Sequence, residues 1–444
     1  MKEQAYDVIV IGTGTAGGTA ATQLSQAGKR VAIVDSEPFG GTCALRGCQP
    51  KKYLVVNTHL AAHTRELLGR GFSAAAITDW AQLQTFKREF TDPIPEQSRR
   101  SYREQGIDPY SGSVRFVDRS SIRLAPGGET LSADTFLIAA GARPRALEIP
   151  GAEHTSTSDD FLELTALPEK IVFIGGGYIS LEFAFMAGLS GTHVTVLQRG
   201  DRVLPQFPAS LVDRVVDAAK AHNVTVVTGV DVEQVEKTAD ALSVVTREHG
   251  AFAGGFVMAA VGRVPNTDAL GLESIGVELD RRGIIVDEYM RTSVENVFAI
   301  GDCVAGKQLA PISDMEAKAA ATNIVSPGSV RVQYDSIPSV VFSYPQMASV
   351  GLTVDDADPR TMKIKTGSGA GWPNNRRVRA ETVYYETVTD AESGRILGAH
   401  LVGPYAGEQI NIFALAIASG TTADRFRDLP WAYPTNTSDV KYMV

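Results

Sequence analysis

Short, mostly apolar runs that end in glycine recur along the chain. Residues 6–11 form one such run, and residues 170–174 form another. Runs of this length, bounded by turn residues, predict buried strands. A helical stretch to residue 26 and a second apolar run at residues 30–34 follow the first turn, and residues 193–197 supply the matching run after the second. The pattern predicts two strand–helix–strand units and an α/β fold.

The first turn carries the spacing of a dinucleotide-binding site. Gly12, Gly14 and Gly17 stand in the order Gly-x-Gly-x-x-Gly between strand and helix, and the next strand ends on Asp35. Such glycines permit a tight turn and a close approach of pyrophosphate, while an acid about twenty residues on accepts a ribose hydroxyl. A merely tight turn is the alternative interpretation, and the surrounding strand, helix and acid favour the nucleotide site.

The second turn repeats this spacing with two changes. Gly175 and Gly177 fill the first two glycine positions, whereas Ser180 fills the third, so we expect helix and strand to pack slightly further apart. Gln198 stands at the end of the following strand, where a site for NAD would carry an acid.

Two arginines, Arg199 and Arg202, follow this missing acid. Removing a carboxylate and adding guanidinium groups suits the 2′-phosphate of NADPH, so NADPH is expected and NADH is less favoured. The alternative is that both arginines are solvated on a surface loop.

Two of the three cysteines, Cys43 and Cys48, lie five positions apart. On one ideal helix such positions are separated by roughly 7.5 Å of rise and about 140° of rotation, so a bond between the sulfurs would strain the turn. Strained disulfides are the labile ones, used in catalysis or regulation. Lys51 and Lys52 supply positive charge that would stabilise a thiolate. The alternatives are two unconnected buried thiols, or half of a metal site that lacks further ligands at usable spacing; we expect no metal.

Composition narrows the class of protein. At 444 residues and 47.4 kDa the chain is long enough for two to four domains. Its formal net charge of −9, without a basic run of five residues, argues against a nucleic-acid partner. No apolar stretch reaches the eighteen or so residues of a membrane span, and the first strand starts too early for a signal peptide, so we expect a cytoplasmic protein with no membrane partner. In that reducing compartment a close cysteine pair is more often catalytic than structural.

Residues 40–52, Gly-Gly-Thr-Cys-Ala-Leu-Arg-Gly-Cys-Gln-Pro-Lys-Lys, resemble the redox-active disulfide signature of the flavoprotein disulfide reductases. This is the family of glutathione reductase, dihydrolipoamide dehydrogenase and mercuric reductase. Residues 135–144 and 296–302 resemble two further flavin-domain motifs, and the resemblance covers nearly the whole chain. It implies two Rossmann-like domains and a C-terminal α+β domain, with FAD at residues 1–148 and 266–330, NAD(P) at 149–265 and dimerisation at 331–444.

The resemblance implies a homodimeric FAD enzyme that takes hydride from NADPH and passes two electrons through the flavin to the cysteine pair. Cys48 would face the flavin and Cys43 would attack the substrate, with Lys51 and Glu182 as an ion pair beside the flavin. The first acceptor expected is a small-molecule disulfide, and the second is a metal ion or a quinone. The alternative from another functional class is a redox-sensing flavoprotein with slow turnover. The further positions implied to contact the cofactors are Thr42, Val114, Gly141, Tyr178, Gly262, Asp302 and Ala310, in addition to Lys51 and Glu182.

The chain departs from the family near its C-terminal end. The members that act on thiols and disulfides carry the motif His-Pro-Thr-x-x-Glu, and its histidine serves as a base in the active site of the partner subunit. Here Tyr433 replaces the histidine. The glutamate is replaced by Ser438 or, if the alignment shifts by one residue, by Asp439. A neutral phenol is a poor proton acceptor near pH 7, where imidazole takes up protons readily. We therefore expect Tyr433 to change the acceptor, unless it only packs at the dimer interface. Mercuric reductases resemble the chain at this tyrosine, but they end in a vicinal cysteine pair, and this sequence has no cysteine after Cys303.

Two other residues that could carry chemistry are expected to be structural. Cys303 has no evident partner in the sequence and is interpreted as a small packing residue. His400 lies on an apolar strand, where a single histidine is usually a hydrogen-bonded core or interface group.

Overall fold

The structure is a computed structural model that describes residues 4–239 and 241–444. Two units can be distinguished by their internal contacts. The first comprises Met1–Lys52, Thr85–Arg145 and Arg263–Tyr334, and the second comprises Tyr53–Gln84, Ala146–Gly262 and Asp335–Val444. Among the described residues, no helix is long and apolar enough to span a bilayer.

The secondary structure alternates between helices and strands through most of the chain. The helices are α1 Thr15–Gln26, α2 Gly41–Leu45, α3 Cys48–Glu66, α4 Trp80–Thr91, α5 Ile94–Glu104, α6 Ser158–Leu162, α7 Tyr178–Leu189, α8 Ala209–Ala219, α9 Ala310–Val325, α10 Pro373–Arg377, α11 Ala406–Ala418 and α12 Ala423–Asp428. The strands are β1 Gln4–Ile11, β2 Val31–Asp35, β3 Asp108–Ser111, β4 Ser113–Asp118, β5 Ser121–Ala125, β6 Thr130–Ile138, β7 Ala142–Pro144, β8 Lys170–Ile174, β9 His193–Gln198, β10 Val224–Thr228, β11 Val232–Lys237, β12 Leu242–Thr246, β13 Ala251–Gly254, β14 Phe256–Ala259, β15 Arg263–Pro265, β16 Leu279–Asp280, β17 Gly283–Ile284, β18 Val297–Ala299, β19 Ser339–Val341, β20 Gln346–Gly351, β21 Met362–Ser368, β22 Tyr384–Asp390 and β23 Ile396–Gly403.

The first unit is built on one sheet with strand order β3-β2-β1-β6-β5-β4, to which β18 adds beside β6. β1, β2, β3, β6 and β18 are parallel, whereas β4 and β5 join as an antiparallel end. Ile11 pairs with Val34 on one side and with Ile138 on the other. The carboxyl ends of three parallel strands therefore meet at one edge, where ligands of such sheets bind.

Alternate residues of β1 pack on opposite faces of this sheet. Ile9 and Ile11 belong to one buried cluster, whereas Val8 and Val10 belong to another that also contains Ala20 of α1. Because both faces are covered, the strand reads as a nearly continuous apolar run. This confirms the first predicted strand–helix–strand unit.

The second unit contains a parallel sheet of order β10-β9-β8-β14. Helix α7 begins directly after the glycine turn that follows β8, and every residue from Ser180 to Leu189 is buried. A helix that is apolar on all sides is typical of a core position. The second predicted strand–helix–strand unit is thereby confirmed.

The same unit also contains an antiparallel sheet of order β19-β20-β23-β22-β21, with α11 packed on β20 and β23. His400 on β23 is fully buried; its Nδ1 lies 2.6 Å from Oγ of Ser349 and its Nε2 lies 2.9 Å from the carbonyl oxygen of Leu352. Burial lowers the pKa of His400. The prediction that His400 is a hydrogen-bonded core residue is confirmed, as is the packing role of the buried Cys303.

Candidate active site

The cysteine segment packs directly on the first glycine turn. A Cβ on Gly41 would lie 2.3 Å from Cα of Gly14, so the two backbones touch where no side chain fits. One residue earlier, the amide of Gly40 donates a hydrogen bond of 3.2 Å to Oγ1 of Thr13. Gly41 also has φ of +69°, which glycine adopts without strain. The spacing of glycines in the sequence therefore serves a close approach between two segments.

Cys43 and Cys48 lie on either side of a break between two helices. Cys43 is in the single turn of α2, and Cys48 is the first residue of α3. A Cβ on Gly47, just before α3, would lie 2.9 Å from the carbonyl oxygen of Thr42, so the break needs a glycine. The side chains of Cys43 and Cys48 are thiols that hydrogen-bond each other. The backbone thus leaves the single helix that would have kept the sulfurs apart.

The surroundings of the Cys43 thiol raise its pKa. The hydrogen bond with Cys48 and burial raise the pKa of Cys43, whereas Thr15 and the charge of Lys51 act in the opposite direction. Once one proton has left such a pair, the second is held more tightly. Cys43 therefore holds its proton more tightly than an isolated thiol does.

The first glycine turn fits a pyrophosphate. Gly12 has φ of +113° and its Cβ would lie 2.2 Å from the carbonyl oxygen of Ala139, while a Cβ on Gly17 would lie 1.9 Å from that of Gly12. Gly14 differs, because the nearest protein atom to its Cβ would be 3.8 Å away. Two glycines are thus required by the fold, and the third leaves an open face at the N-terminus of α1, where phosphates bind.

Other residues of the first unit complete a site that fits FAD. Asp35 accepts hydrogen bonds from the amide of Thr13 at 2.7 Å and from its hydroxyl at 2.6 Å. Gly141, after β6, has φ of +67° and no protein atom within 4 Å of a Cβ position. Ala310 is the first residue of α9, whose N-terminal amides have no side-chain cap, and the buried Val114 lies in β4. Open glycines and uncapped helix ends suit a dinucleotide, and the contact of these residues with FAD stays a prediction.

A buried acid that the sequence interpretation missed, Glu316, bonds the backbone next to Asp302. Burial raises the pKa of Asp302, and the charge of Arg263 opposes that shift. Glu316 on α9 accepts a hydrogen bond from the amide of Gly301 at 2.7 Å and one from the hydroxyl of Tyr334 at 2.8 Å. Glu316 is 1% exposed, and burial raises its pKa. The only signal in the sequence was a single acid on the alanine-rich face of a helix.

The second glycine turn has the same design. Gly175 has φ of +106° and its Cβ would lie 2.4 Å from the carbonyl oxygen of Ala260, while a Cβ on Gly177 would meet no protein atom within 4 Å. Ser180 is fully buried, and in the described part of the chain its hydroxyl has no hydrogen-bond partner. Gln198 accepts a hydrogen bond from the amide of Gly176 at 2.9 Å.

The residues around this second turn differ in exposure. Arg199 is exposed, and Arg202 donates a hydrogen bond of 3.1 Å to the carbonyl oxygen of Pro205. Burial raises the pKa of Tyr178, and Gly262 has φ of +113°. Glu182 is 3% exposed and accepts a hydrogen bond from the amide of Phe342 at 2.9 Å. Lys51 belongs to the first unit and Glu182 to the second, and their ion pair stays a prediction.

The segment carrying Tyr433 is held by buried polar side chains. Tyr433 itself is 75% exposed. Thr435 and Ser438 form a reciprocal capping box, and Ser438 thereby uses its hydroxyl within the turn. Ser438 and Asp439 are both buried, and Oδ1 of Asp439 accepts a hydrogen bond of 3.0 Å from Asn374. Of the two candidates for the missing glutamate, Ser438 caps the turn and Asp439 is bonded to Asn374.

Comparison with known proteins identifies the family. Residues 6–322 match the pyridine nucleotide-disulphide oxidoreductase family, and residues 337–444 match its dimerisation domain. The chain is 35% identical over 439 residues to glutathione reductase of Burkholderia cepacia, covering 98% of this chain and 97% of that protein. It is 33% identical over 444 residues to dihydrolipoyl dehydrogenase of Bacillus subtilis strain 168, covering 97% and 93%. The HOCl-induced flavoprotein disulfide reductase RclA from Escherichia coli has a similar structure, with a TM-score of 0.89 and 26% identity over 98% of this chain and 99% of that one. The family matches and the site geometry together confirm the resemblance seen in the sequence, and the chain belongs to the pyridine nucleotide-disulphide oxidoreductases as an FAD-dependent enzyme with a dimerisation domain.

Proposed function

We propose that this protein is an NADPH-dependent reductase that works through Cys43 and Cys48 on a small-molecule disulfide. The observation that carries the proposal is the hydrogen-bonded cysteine pair at the break before α3, in a segment whose Gly41 packs against the first glycine turn. A pair in a segment that packs on the nucleotide turn is placed to exchange electrons with a bound cofactor. Glutathione reductase and dihydrolipoyl dehydrogenase, named among the relatives, support a disulfide or dithiol as the substrate class.

In the proposed reaction, Cys43 and Cys48 reduce the substrate disulfide in two exchange steps. FAD, when bound, relays two electrons from the nicotinamide to the cysteine pair. The Cys43 thiolate attacks one sulfur of the substrate, so that a mixed disulfide forms, the substrate S–S bond breaks and one thiol leaves with a proton. Cys48 then attacks Cys43, which releases the second thiol and restores the Cys43–Cys48 disulfide. One NADPH and one proton are consumed for two thiols formed.

Charged and polar side chains have supporting roles in this proposal. Lys51, whose charge acts on Cys43, favours the thiolate form. Asp302, which follows β18, and Thr42 in α2 would hold parts of the flavin nucleotide. Glu182 would pair with Lys51 beside the flavin, and Tyr433 would reach the site of the other protomer.

The preference for NADPH over NADH rests on charge. Gln198 replaces the expected acid and is neutral, and Arg199 is exposed beside it. A 2′-phosphate would gain charge-assisted hydrogen bonds there, whereas an adenosine ribose would find no carboxylate. NADPH is therefore the proposed donor.

A second class of acceptor is favoured by Tyr433. The exposed phenol stands where the thiol–disulfide members have a base, and it cannot take up the proton of a departing thiol at neutral pH as imidazole does. Quinones, metal ions and disulfides with acidic leaving thiols need no such base. If none of these is turned over quickly, a redox-sensing role becomes the better explanation.

Assembly and location complete the proposal. The dimerisation domain supports a homodimer. Tyr433 is exposed on the single chain, as expected of a residue that contacts a second subunit. A cysteine pair that must be reduced by NADPH is suited to the cytoplasm. The domain boundaries proposed remain at residues 148, 265 and 330.

The deciding experiment measures NADPH oxidation by the purified holoenzyme against a panel of acceptors. Glutathione disulfide, lipoamide, a benzoquinone, Cu(II) and Hg(II) are compared in the wild type and in Cys43→Ser. The expected result is turnover that the substitution abolishes for disulfides. Equal rates in both proteins for every acceptor would show that the cysteine pair is not used.

A further inference from the structure

Tyr433 lies between two anchored flanks of the C-terminal segment, and its side chain is 75% exposed. On one flank, the indole of Trp431 donates a hydrogen bond of 3.2 Å to the carbonyl oxygen of Phe426, and the two rings pack with 5.1 Å between their centroids. On the other flank, the hydroxyl of Thr435 donates to the carbonyl oxygen of Ala432 at 2.8 Å. An aromatic side chain that is exposed on a held backbone is prepared for contact with another molecule, because little freedom is left to lose.

A buried asparagine holds the flank that follows Tyr433. Asn374 in α10 is 5% exposed, and its Nδ2 donates hydrogen bonds to the carbonyl oxygen of Thr435 at 2.8 Å and to Oδ1 of Asp439 at 3.0 Å. Its Oδ1 accepts a hydrogen bond of 2.7 Å from Arg377. Nitrogen and oxygen of this carboxamide are both engaged, which fixes its orientation. Asn374 thus ties the residue two positions after Tyr433 to α10.

The neighbouring asparagine makes a similar connection one position further along. Oδ1 of Asn375, which is 4% exposed, accepts a hydrogen bond of 3.1 Å from Asn436. The carbonyl oxygen of Asn436 accepts another, of 2.7 Å, from Gln409 on α11. Buried polar groups in such a network keep one geometry, because other geometries leave some of them without partners. The C-terminal segment is therefore held by both α10 and α11.

We propose that Asn374 is a positioning residue for Tyr433, which holds the backbone of Thr435 so that the phenol is presented to the acceptor at the site of the other protomer. The inference rests on the proposed role of Tyr433 at that site. There its hydroxyl would donate a hydrogen bond to the thiolate that leaves the acceptor disulfide. Asn374 takes no part in the exchange, so no bond forms or breaks at its side chain.

The two candidates for the family's missing glutamate agree with this role. Asp439 accepts its hydrogen bond from Asn374, and the hydroxyl of Ser438 donates to the carbonyl oxygen of Thr435 at 2.6 Å. Both side chains therefore support the backbone beside Tyr433. An imidazole needs a partner to set its tautomer, whereas a phenol has no tautomer to set, so a positioned backbone suffices for it.

The test separates the two half-reactions of the holoenzyme by anaerobic stopped-flow measurements. NADPH reduces the enzyme without an acceptor, and the reduced enzyme is then reoxidised by dithiobis(nitrobenzoate), a disulfide with an acidic leaving thiol. Asn374→Asp keeps the shape of the side chain and removes its N–H donors. Asn411→Asp is the matched control, because Asn411 is exposed and donates to the carbonyl oxygen of Gly407 within its own helix.

The expected result is a defect confined to reoxidation. Asn374→Asp should slow reoxidation about tenfold and leave reduction by NADPH unchanged, because a displaced phenol loses a hydrogen bond to charged sulfur. In a Tyr433→Ala background the same substitution should change reoxidation by less than about twofold, since Asn374 acts through Tyr433. Asn411→Asp should match the wild type. An equal effect of Asn374→Asp in both backgrounds, as a merely structural role would give, would overturn the proposal.

A second measurement covers a variant that folds poorly. In the wild-type holoenzyme, hydrogen exchange should be slow at the amides of Thr435 and Ser438, which bond within the capping box. Rapid exchange there would show that the segment is not held, and would also overturn the proposal. Reoxidation of Tyr433→Ala at the wild-type rate would refute the proposed function of Tyr433. A slowed Tyr433→Ala beside an unaffected Asn374→Asp would refute the positioning role alone.

Discussion

Gln198 accepts a hydrogen bond from the backbone amide of Gly176 through Oε1, at 2.9 Å. Asp35 accepts one from the amide of Thr13, and in both cases 22 residues separate the partners. The side chain at the end of the second strand therefore closes the glycine turn in each nucleotide fold. Gln198 does so without a negative charge, and its amide nitrogen is a donor where Asp35 has only acceptors.

Gln198→Glu should move the preference of the enzyme from NADPH toward NADH. The carboxylate can still accept the Gly176 amide, but it repels a 2′-phosphate and accepts a ribose hydroxyl. We expect wild-type kcat/KM to favour NADPH at least tenfold, since a charge-assisted contact contributes roughly 1.5–3 kcal/mol, and the variant to lose that preference. The measurement is steady-state kinetics with both nucleotides. Equal use of both by the wild type would contradict the prediction.

Arg199→Ala should lower kcat/KM for NADPH more than Arg202→Ala does. Arg199 is exposed, whereas Arg202 already donates to the carbonyl of Pro205. The expected loss is about tenfold in kcat/KM for NADPH with little change for NADH, and the double variant should abolish the preference. Arg202→Ala is the matched control, and identical effects of the two single variants on NADPH would show that both guanidinium groups reach the phosphate.

The cysteine pair should take up electrons before the flavin does. Anaerobic titration of the holoenzyme with about two electrons should produce long-wavelength absorbance from a thiolate beside the flavin, and Cys48→Ser should abolish it. Cys303→Ser is the control, because Cys303 is buried and hydrogen-bonds through its sulfur to the carbonyls of Ile138 and Ile300. Reduction of the flavin alone would refute the assignment of the redox pair.

Tyr433 should make the enzyme a poor reductase of glutathione disulfide and lipoamide near pH 7. A positioned imidazole contributes about 10²–10⁴ in rate to such proton transfers, and a neutral phenol does not replace it. Tyr433→His should raise these rates, and Tyr433→Phe should leave them low. Initial rates across a pH series test this prediction. Reduction of glutathione disulfide or lipoamide by the wild type at ordinary enzymic rates at pH 7 would contradict it. Tyr433 is 75% exposed on the single chain, so the substitutions should not disturb its core.

Local patterns predicted the parts of the site that lie within one strand–turn–helix unit. The glycines at 12 and 175 have φ above +100° for steric reasons that a short segment already dictates. The partnerships of Gln198 with Gly176 and of Glu316 with Gly301 were not predictable, because folding brings these residues together across 22 and 15 positions. The choice between Ser438 and Asp439 likewise depended on Asn374, which is 65 residues away from Asp439.

The buried carboxyl of Glu316 should make the free energy of unfolding depend on pH. The protein should become less stable as the pH rises through the raised pKa of this carboxyl. Burial raises the pKa of this carboxyl in the folded protein, so the folded state binds the proton more tightly than the unfolded chain does. The stabilising contribution is complete below the pKa of the unfolded chain and is lost as the pH rises through the folded value. In Glu316→Gln this dependence should disappear, and the difference in Tm between the proteins should widen toward neutral pH in favour of the variant.

Tyr334→Phe provides the companion measurement for this buried carboxyl. The variant removes the hydroxyl that donates to Glu316 at 2.8 Å, and it should cost about 1–3 kcal/mol because a buried oxygen loses its partner. Thermal unfolding of the FAD-depleted protein from about pH 5 to about pH 8 separates these effects from cofactor binding. A Glu316→Gln protein with the same pH dependence as the wild type would contradict the assignment.

Gly14→Ala and Gly177→Ala should separate the two nucleotide sites. Both glycines have extended backbone, with φ of −67° and −86°, and the protein leaves space for a methyl group at each, 3.8 Å from the nearest atom at Gly14 and more than 4 Å at Gly177. Each variant should therefore fold. The methyl groups would occupy the open faces of the two helix N-termini, where pyrophosphate must approach closely.

The two variants are therefore matched tests of where each cofactor binds. Gly14→Ala should be purified with little FAD, whereas Gly177→Ala should keep FAD and lose NADPH binding by at least tenfold, because the interactions between an amide and a phosphate need direct contact. Absorbance at the flavin band and nucleotide titration by fluorescence give the two readouts. Gly17→Ala is the contrasting control, since its Cβ would lie 1.9 Å from the carbonyl oxygen of Gly12 and the fold itself should suffer. If Gly14→Ala bound FAD fully while Gly177→Ala lost it, the assignment of the two turns would be reversed.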